Sequence, residues 1–475
     1  MDSRSSPLPA PTVEHLEPAF ERMTRDELLR IQVERFADDF DYAARGNRFF
    51  RQQYAKAGLT ERSIRRIEDV REVPVVRKAD VLADAALEPP YGTRLQVRPD
   101  EVVEVVESSG TSGLGRETQA LTTEDRALVL RAKVFQFHWV GCRKGTVVAL
   151  HMPVSMAAGA LWSLQALQRL ESNVLRVGTL GTEARLQYMK RYSVEVTAAS
   201  TSYLMRLEHA ADAAGLDLQS DFPDLKSIYV GSGGWTVPWA EERAARWNAR
   251  LFEVYGSSQR AFAITCEYGI LRDGTPGVMH FLPHLALTEV IDPRTGEHVA
   301  DGEEGEIVVT PFGQRATPLI RYATGDRARF ISAGSCPCGR AFDGIEAGSV
   351  GRYDDMLRLK EVNVWPETID AILLAKDAVA EYRGDVSVDP QGRERAAVMV
   401  EFRPGTAPHE RQQHLTALAI ELHDRIGIHF ECEEWTGPSL LGETPQGMDA
   451  SSLKIRRWVD RRASSLAQAP AEVVS

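Results

Sequence analysis

Residues 108–116, Ser-Ser-Gly-Thr-Ser-Gly-Leu-Gly-Arg, crowd hydroxyl side chains and glycines into one short segment. Glycine lets a backbone approach an anion closely, and free N–H groups with Ser and Thr hydroxyls donate hydrogen bonds without bulk. That is chemistry for cradling phosphate. The segment lacks the Gly-Lys-Ser/Thr ending of a Walker loop, and the same composition also serves a plain turn. A second reactive group is Cys336-Pro337-Cys338-Gly339-Arg340, a tight Cys-x-Cys turn that either offers two thiolates to a metal or buries two free cysteines. Asp326, after Thr324-Gly325, and Lys454, in a basic stretch with Arg456 and Arg457, are charged candidates that serve equally as a turn aspartate and a surface cation.

The elements around the first segment are regular. Residues 102–106 are β-branched and tightly bounded, which predicts a strand entering the segment. Thr122, Thr123 and Glu124 then open an apolar-periodic helix over 127–139. Strands are expected at 146–152, 174–177, 194–199, 227–230 and 250–254, alternating with helices at 155–170, 183–192, 203–214 and 239–248. Such alternation implies a parallel sheet with helices on both faces. Upstream, residues 25–57 and 63–70 read as helical, with a further helix starting at Lys78. Downstream, strands at 285–291, 305–311 and 327–331 suggest an antiparallel β subdomain on the edge of the α/β body. A boundary falls near 348–355. A smaller unit of roughly a hundred residues follows, within the size range of a domain: helix 366–374, strands 378–388 and 395–402, and helix 409–425.

The chain has 475 residues, long enough for more than one domain, and at 43% hydrophobic and 26% charged it is ordinary globular material. A net charge of −12 with no strong basic stripe argues against nucleic acid as partner. No apolar run reaches membrane-spanning length and the first residues hold no signal-peptide core, so a cytoplasmic protein is expected. Five cysteines do not make a disulfide framework, and Cys142 and Cys432 read as core.

With the opening loop, four later segments form an ordered set: Tyr255-Gly256-Ser257-Ser258-Gln259, Arg321-Tyr322-Ala323-Thr324-Gly325-Asp326, Gly351-Arg352-Tyr353-Asp354-Asp355-Met356, and Lys454 in its basic stretch. Over about residues 25–462 the chain resembles the adenylate-forming (AMP-binding) superfamily. More narrowly it resembles the phenylacetate–CoA ligase family, through Asp354-Asp355-Met356-Leu357, Val362-Asn363-Val364-Trp365-Pro366 and the Trp in Gly231-Ser232-Gly233-Gly234-Trp235. The resemblance implies an N-terminal adenylation domain, 1–350, and a small mobile C-terminal lid, 351–475, hinged near Asp354. It implies ATP-dependent activation of an aromatic acid, such as an amino- or hydroxy-benzoate, and transfer to CoA. Ser108, Ser109, Gly110, Thr111, Ser112 and Gly113 would hold the terminal phosphates. Ser232, Gly233, Gly234 and Tyr255 would line the adenine, and Gly256 and Ser257 would also contact the nucleotide. Asp326 would take the ribose hydroxyls and Arg352 a ribose or phosphate oxygen. Lys454, with Thr111, would act at the carboxylate–phosphate junction. The acyl pocket would fall on His151, Met156, Ala157, Gly159, Ser202, Tyr203, Gly231 and Tyr255, near the carboxyl ends of the strands.

Three departures from the family pattern stand out. Gln259 occupies the position of a Glu that helps hold Mg²⁺, keeping an oxygen ligand but losing its charge. Arg116 is left as the nearby cation of the phosphate loop, after Leu114-Gly115. Lys360-Glu361 replaces an Arg-Gly whose glycine lines the pantetheine passage, so bulk and negative charge meet a polyanionic thiol. The last change favours a rival acceptor: an aryl amine, a hydroxyl or a carrier protein. A non-catalytic nucleotide-binding protein is a second rival, resting on Gln259, and a metal-stapled scaffold a third. Family members also pair a Cys-x-Cys turn with an upstream Cys and His to hold structural zinc; here the match is Cys266, His280, Cys336 and Cys338, with His284 as rival ligand. The oligomeric state is open, a homodimer being allowed but not specified.

Overall fold

Residues 10–108, 115–154, 158–231, 234–359, 362–389, 393–441 and 457–462 are described by the computed structural model. Helix α1 (Pro18–Glu21) precedes α2 (Arg25–Gly46) and α3 (Arg48–Lys56). The helical run expected over 25–57 is thus split at Asn47, whose side chain caps α3 by accepting from the Phe50 N–H and donates to the Arg94 carbonyl. The helical unit expected at 63–70 is a short 3₁₀ segment, Ile67–Glu72, and α4 follows at Lys78–Leu87.

β1 (Glu104–Glu107) pairs antiparallel with β2 (Thr118–Leu121), so the two strands bracket the hydroxyl-rich segment. Helix α5 (Thr123–Trp139) starts on a reciprocal cap between Thr122 and Asp125. β3 (Val147–Leu150), α6 (Ala158–Arg169), β4 (Asn173–Arg176), α7 (Thr182–Arg191), β5 (Val196–Ser200), α8 (Thr201–Ala213), β6 (Ser227–Gly231), α9 (Val237–Trp247) and β7 (Arg250–Gly256) realise the expected alternation. Their strands run parallel in the order β4-β3-β5-β6-β7. Strand order reverses at β3, where open α/β sheets form a crevice beyond the carboxyl ends.

The antiparallel strands lie on the edge of the α/β body, as expected, and continue its sheet. The chain turns back through 257–261 into β8 (Phe262–Thr265), which pairs with the open edge of β7. After a small hairpin of β9 (Leu271–Arg272) and β10 (Thr275–Pro276), β11 (Val278–Phe281), β12 (Ala286–Ile291), β13 (Glu304–Pro311), β14 (Tyr322–Ile331), β15 (Gly344–Glu346) and β16 (Gly351–Arg352) extend the same sheet to twelve strands. Large apolar side chains fill both faces, Phe36, Phe40 and Tyr203 on one and Phe135, Trp139 and Trp162 on the other.

A third core gathers under a four-stranded sheet built after residue 356. Its elements are β17 (Leu357–Leu359), β18 (Val362–Val364), α10 (Pro366–Leu373), β19 (Val379–Val388), β20 (Glu394–Phe402), α11 (Pro408–Ile426), β21 (Glu431–Glu434) and β22 (Trp458–Asp460). The Arg403–Glu242 and Arg327–Glu367 ion pairs, at 3.0 and 3.2 Å, tie it to the larger body, and the Arg327 guanidinium lies 4.2 Å from the Trp365 ring centre. Cys142 is core as expected, whereas Cys432 on β21 is half-buried. No helix among the described residues is long and apolar enough to cross a membrane.

Arg321 fixes the start of β14. Its backbone takes a left-handed turn at φ +46°, and its buried guanidinium makes two 3.0 Å bonds to the Glu289 carboxylate and two more to the Arg71 and Val73 carbonyls. One side chain thus pins the N-terminal segment, β12 and β14 together. Arg321→Ala leaves a buried carboxylate without its cation and is expected to cost about 3–5 kcal/mol. Chemical denaturation followed by tryptophan fluorescence measures it; a loss below ~1 kcal/mol would show that this junction is held by something else.

Candidate functional site

β14 carries Tyr322, Thr324 and Asp326 through a stretch where its register against β13 shifts between Ala323 and Arg327, with Gly325 at φ +75°. Asp326 sits opposite Arg352 of β16 in register, and its carboxylate accepts from Arg352 Nη1 at 3.1 Å. From the end of β7 the Tyr255 hydroxyl donates to the other oxygen at 2.6 Å. Burial, then the neighbouring Asp326 carboxylate, hold the Tyr255 phenol well above its usual pKa, so it stays a donor. Three residues expected to act on one nucleoside, from positions 255, 326 and 352, therefore meet at one carboxylate.

Tyr322, also on β14, donates to the Glu117 carboxylate at 2.5 Å. Glu117 is 2% exposed and also accepts from the Gln259 side-chain amide, while Ser258 Oγ donates to the Gln259 carbonyl oxygen at 3.2 Å. Burial raises the Glu117 carboxyl, and Tyr322 with nearby Lys78 draws it back down. Its backbone bonds Ser108 twice, N–H to Oγ and carbonyl to N–H, both at 2.9 Å, which closes the base of the hydroxyl-rich segment. A carboxylate thus stands beside Gln259. Sequence reading missed Glu117; the available signal is an acid at the mouth of β2, next to Ser108 across the loop.

The described acyl-pocket candidates cluster at the strand ends. His151 follows β3, Ser202 and Tyr203 open α8 after β5, Gly231 ends β6, and Tyr255 with Gly256 ends β7. His151 Nε2 lies 2.9 Å from Thr197 Oγ1, whereas Nδ1 has no partner among the described residues. Burial, then Arg185, push the imidazole down to about 3, so it is neutral. Ser202 Oγ lies 3.2 Å from Ser200 Oγ and Tyr203 Oη 3.1 Å from Thr182 Oγ1, so both have local structural partners. Gly231 is closely packed, because a Cβ there would approach the Val254 carbonyl and side chain to 3.0 Å. Gly159 starts α6 with open space beside it, Gly234 faces Glu367 of α10, and Ser257 sits in the turn to β8, its N–H bonded to the Ala261 carbonyl.

Ser109, Gly110, Thr111, Ser112, Gly113, Met156, Ala157, Ser232, Gly233, Lys360, Glu361 and Lys454 lie outside the described residues, as does the Asp354 side chain.

Cys266, His280, Cys336 and Cys338 converge with their ligand atoms all within 4.8 Å of one another. Cys266 and Cys336 Sγ are 3.6 Å apart, and Cys338 Sγ is 3.5 Å from His280 Nε2. A zinc tetrahedron with ~2.3 Å bonds has edges of about 3.8 Å, so the spacing fits. The other His280 nitrogen faces the Phe342 carbonyl at 3.3 Å, which turns Nε2 toward the thiols. Hydrogen bonds from Cys266 and Cys336 hold the Cys338 thiol well below the usual range. His284 is not part of the group: it stacks on Phe20 at 4.7 Å, and neither ring nitrogen has a hydrogen-bond partner among the described residues.

Residues 55–312 match the family of AMP-binding enzymes. The phenylacetate-coenzyme A ligase of Aromatoleum evansii is 27% identical over 472 residues, 96% of this chain and 99% of that protein. The phenylacetate-coenzyme A ligase of Escherichia coli K12 is 25% identical over 415 residues, 85% and 90% of the two chains. Among solved structures, 2-hydroxyisobutyryl-CoA ligase in a post-adenylation state aligns with a TM-score of 0.83 at 21% identity, over 96% of this chain and 95% of that one.

Proposed function

The chain belongs to the AMP-binding enzyme family, and from that premise we propose that it activates an aromatic carboxylic acid with ATP and passes the acyl group to CoA. The observation that carries the reading is the convergence of Tyr255 and Arg352 on Asp326, beside a row of strand ends that offers small and flat walls. An acceptor-only carboxylate suits two ribose hydroxyls. The aromatic class rests on the phenylacetate ligases among its relatives and on Tyr203, His151 and Gly231 around the crevice.

In the first half-reaction the acid's carboxylate attacks the α-phosphorus of ATP and pyrophosphate leaves in line. The enzyme's part is to align the reactants and offset charge. Ser108 and the segment after it would cradle the departing phosphates, and Lys454 would bring a point charge to the junction. Mg²⁺ would neutralise phosphate charge when bound; Gln259 offers it a neutral oxygen, and Glu117 supplies the carboxylate that position 259 lacks. In the second half-reaction a thiol attacks the acyl carbon and AMP leaves. A swing of the unit after residue 350, about Asp354, would expose the adenylate to that thiol; the Arg403–Glu242 and Arg327–Glu367 pairs are the contacts it would have to break. Lys360-Glu361 favours a second reading of this step, with a compact aryl amine or phenol as acceptor in place of CoA.

Cys266, His280, Cys336 and Cys338 would hold one zinc ion in a closed, structural role, since three thiolates and an imidazole leave no open position. Protein purified without added metal is expected to carry about one zinc per chain. Cys336→Ser with Cys338→Ser should lose it together with thermal stability. Elemental analysis finding no zinc in folded, active protein would remove the site.

A pyrophosphate-release screen over aryl acids, with and without CoA, tests the main reading. It should show acid-dependent AMP and pyrophosphate, with an acyl thioester once CoA is present. Adenylate that accumulates under saturating CoA and is consumed by an added aryl amine would instead establish the second acceptor. ATP turnover that ignores every acid would end the proposal.

A further inference from the structure

Between Val129 and Trp139, α5 is buried on nearly every side. Lys133 lies in that stretch and is 7% exposed. Its ammonium stands 5.2 Å from the centre of the Phe262 ring and 3.8 Å from the point a Cβ on Gly256 would occupy. Among the described residues no carboxylate, hydroxyl or carbonyl takes a proton from it. Three other buried cations are matched: Arg321 meets Glu289, Arg340 meets Glu21 and Glu267, and Arg243 meets Glu208, all within 3.2 Å. Arg260 has unpartnered nitrogens but lies in the field of Asp125. Burial pushes the Lys133 ammonium down to about 8, and no nearby charge opposes the shift. It is therefore still mainly charged at neutral pH. A buried, charged and unpaired group is costly unless a partner arrives from outside.

The position says which partner. Gly256 directly follows Tyr255 at the end of β7, and successive residues of a strand face opposite sides. Tyr255 points to Asp326 on one side; Gly256 opens to Lys133 on the other. That second side carries α5, α6 and Phe262, which pairs with Gly256 in register. The ammonium thus borders the strand-end crevice away from the Asp326 carboxylate. A side chain at 256 would stand 3.3 Å from the Phe262 ring and 3.8 Å from the ammonium, and glycine keeps that space clear.

We propose that Lys133 is a specificity-determining residue of the acyl pocket, taking a second anionic or strongly accepting group on the acid, a ring carboxylate or a phenolic oxygen, at the end remote from the reacting carboxylate. The inference rests on the adenylation reading. A charge-assisted hydrogen bond in a dry site is strong, and a site built to bond a polar group rejects analogues lacking it far better than an apolar pocket rejects a missing methylene. The other anion that could meet Lys133 is a phosphate of ATP, and the test separates the two.

Wild type and Lys133→Met are compared by ATP–pyrophosphate exchange with phenylacetate, benzoate, meta- and para-hydroxybenzoate, isophthalate and terephthalate. Calorimetry of ATP binding without acid runs alongside. Wild type is expected to favour at least one hydroxyl- or carboxyl-bearing acid over its unsubstituted parent by ~100-fold in kcat/KM. Lys133→Met should erase that preference, keep exchange with the parent acid, bind ATP as wild type does, and melt at a higher temperature because an unpaired charge is gone. Lys133→Gln, which keeps a donor without the charge, should fall between. Parent acids exchanged as well as substituted ones by wild type, or an unchanged preference in Lys133→Met, overturns the assignment and leaves the adenylation reading standing. Loss of ATP binding in Lys133→Met also overturns it, assigning the ammonium to phosphate. Wild type that binds ATP but exchanges with none of the acids overturns both readings together.

Discussion

The carboxylate of Asp326 is held from two directions, by Tyr255 at the end of the parallel strands and by Arg352 on a strand that pairs with β14. The parallel and antiparallel strands belong to one mixed sheet. β8 supplies that continuity by pairing with β7 after a short turn, and Arg321 supplies the anchor from which β14 starts. The site therefore draws on strands from both halves of the sheet rather than on any one loop.

The same strand contributes twice. Tyr322 and Asp326 lie on either side of the bulge in β14, and each reaches a different carboxylate or phenol partner. Glu117 is the more demanding of these buried acids, because taking a carboxylate out of water is expensive. The Tyr322 hydroxyl and the Gln259 amide offset that cost locally, and Arg94 and Lys78 add field from further away. The neutral amide at 259 and the carboxylate at 117 thus belong to one hydrogen-bonded group. Elsewhere in the molecule the buried Arg321, Arg340 and Arg243 are tied to carboxylates, which Lys133 is not.

Much of this was legible in the sequence, for reasons that are local. Strand–helix alternation over 146–256 comes from hydrophobic period and caps, and the helix after Thr122 announces itself by its first turn. The Cys336-Cys338 turn is local too, but its partners, Cys266 just after β8 and His280 in β11, lie far upstream and entered through family resemblance alone. What was illegible depends on long-range pairing. β2 is four residues long and carries no clear alternation, so Glu117 had no frame. The strands after 285 looked self-contained because nothing local says that β8 will continue β7. Lys133 was passed over because a single lysine in an apolar helix reads as its solvent face, whereas this helix has almost none between 129 and 139.

The central claim is that a carboxylate oxygen attacks the α-phosphorus of ATP. An aryl acid that supports turnover, labelled with heavy oxygen in its carboxylate, tests this directly. The attacking oxygen stays on phosphorus when the acyl carbon is later released, so mass spectrometry of the isolated AMP should find one labelled oxygen per molecule. Unlabelled AMP, or ADP and phosphate in place of AMP, would contradict the account.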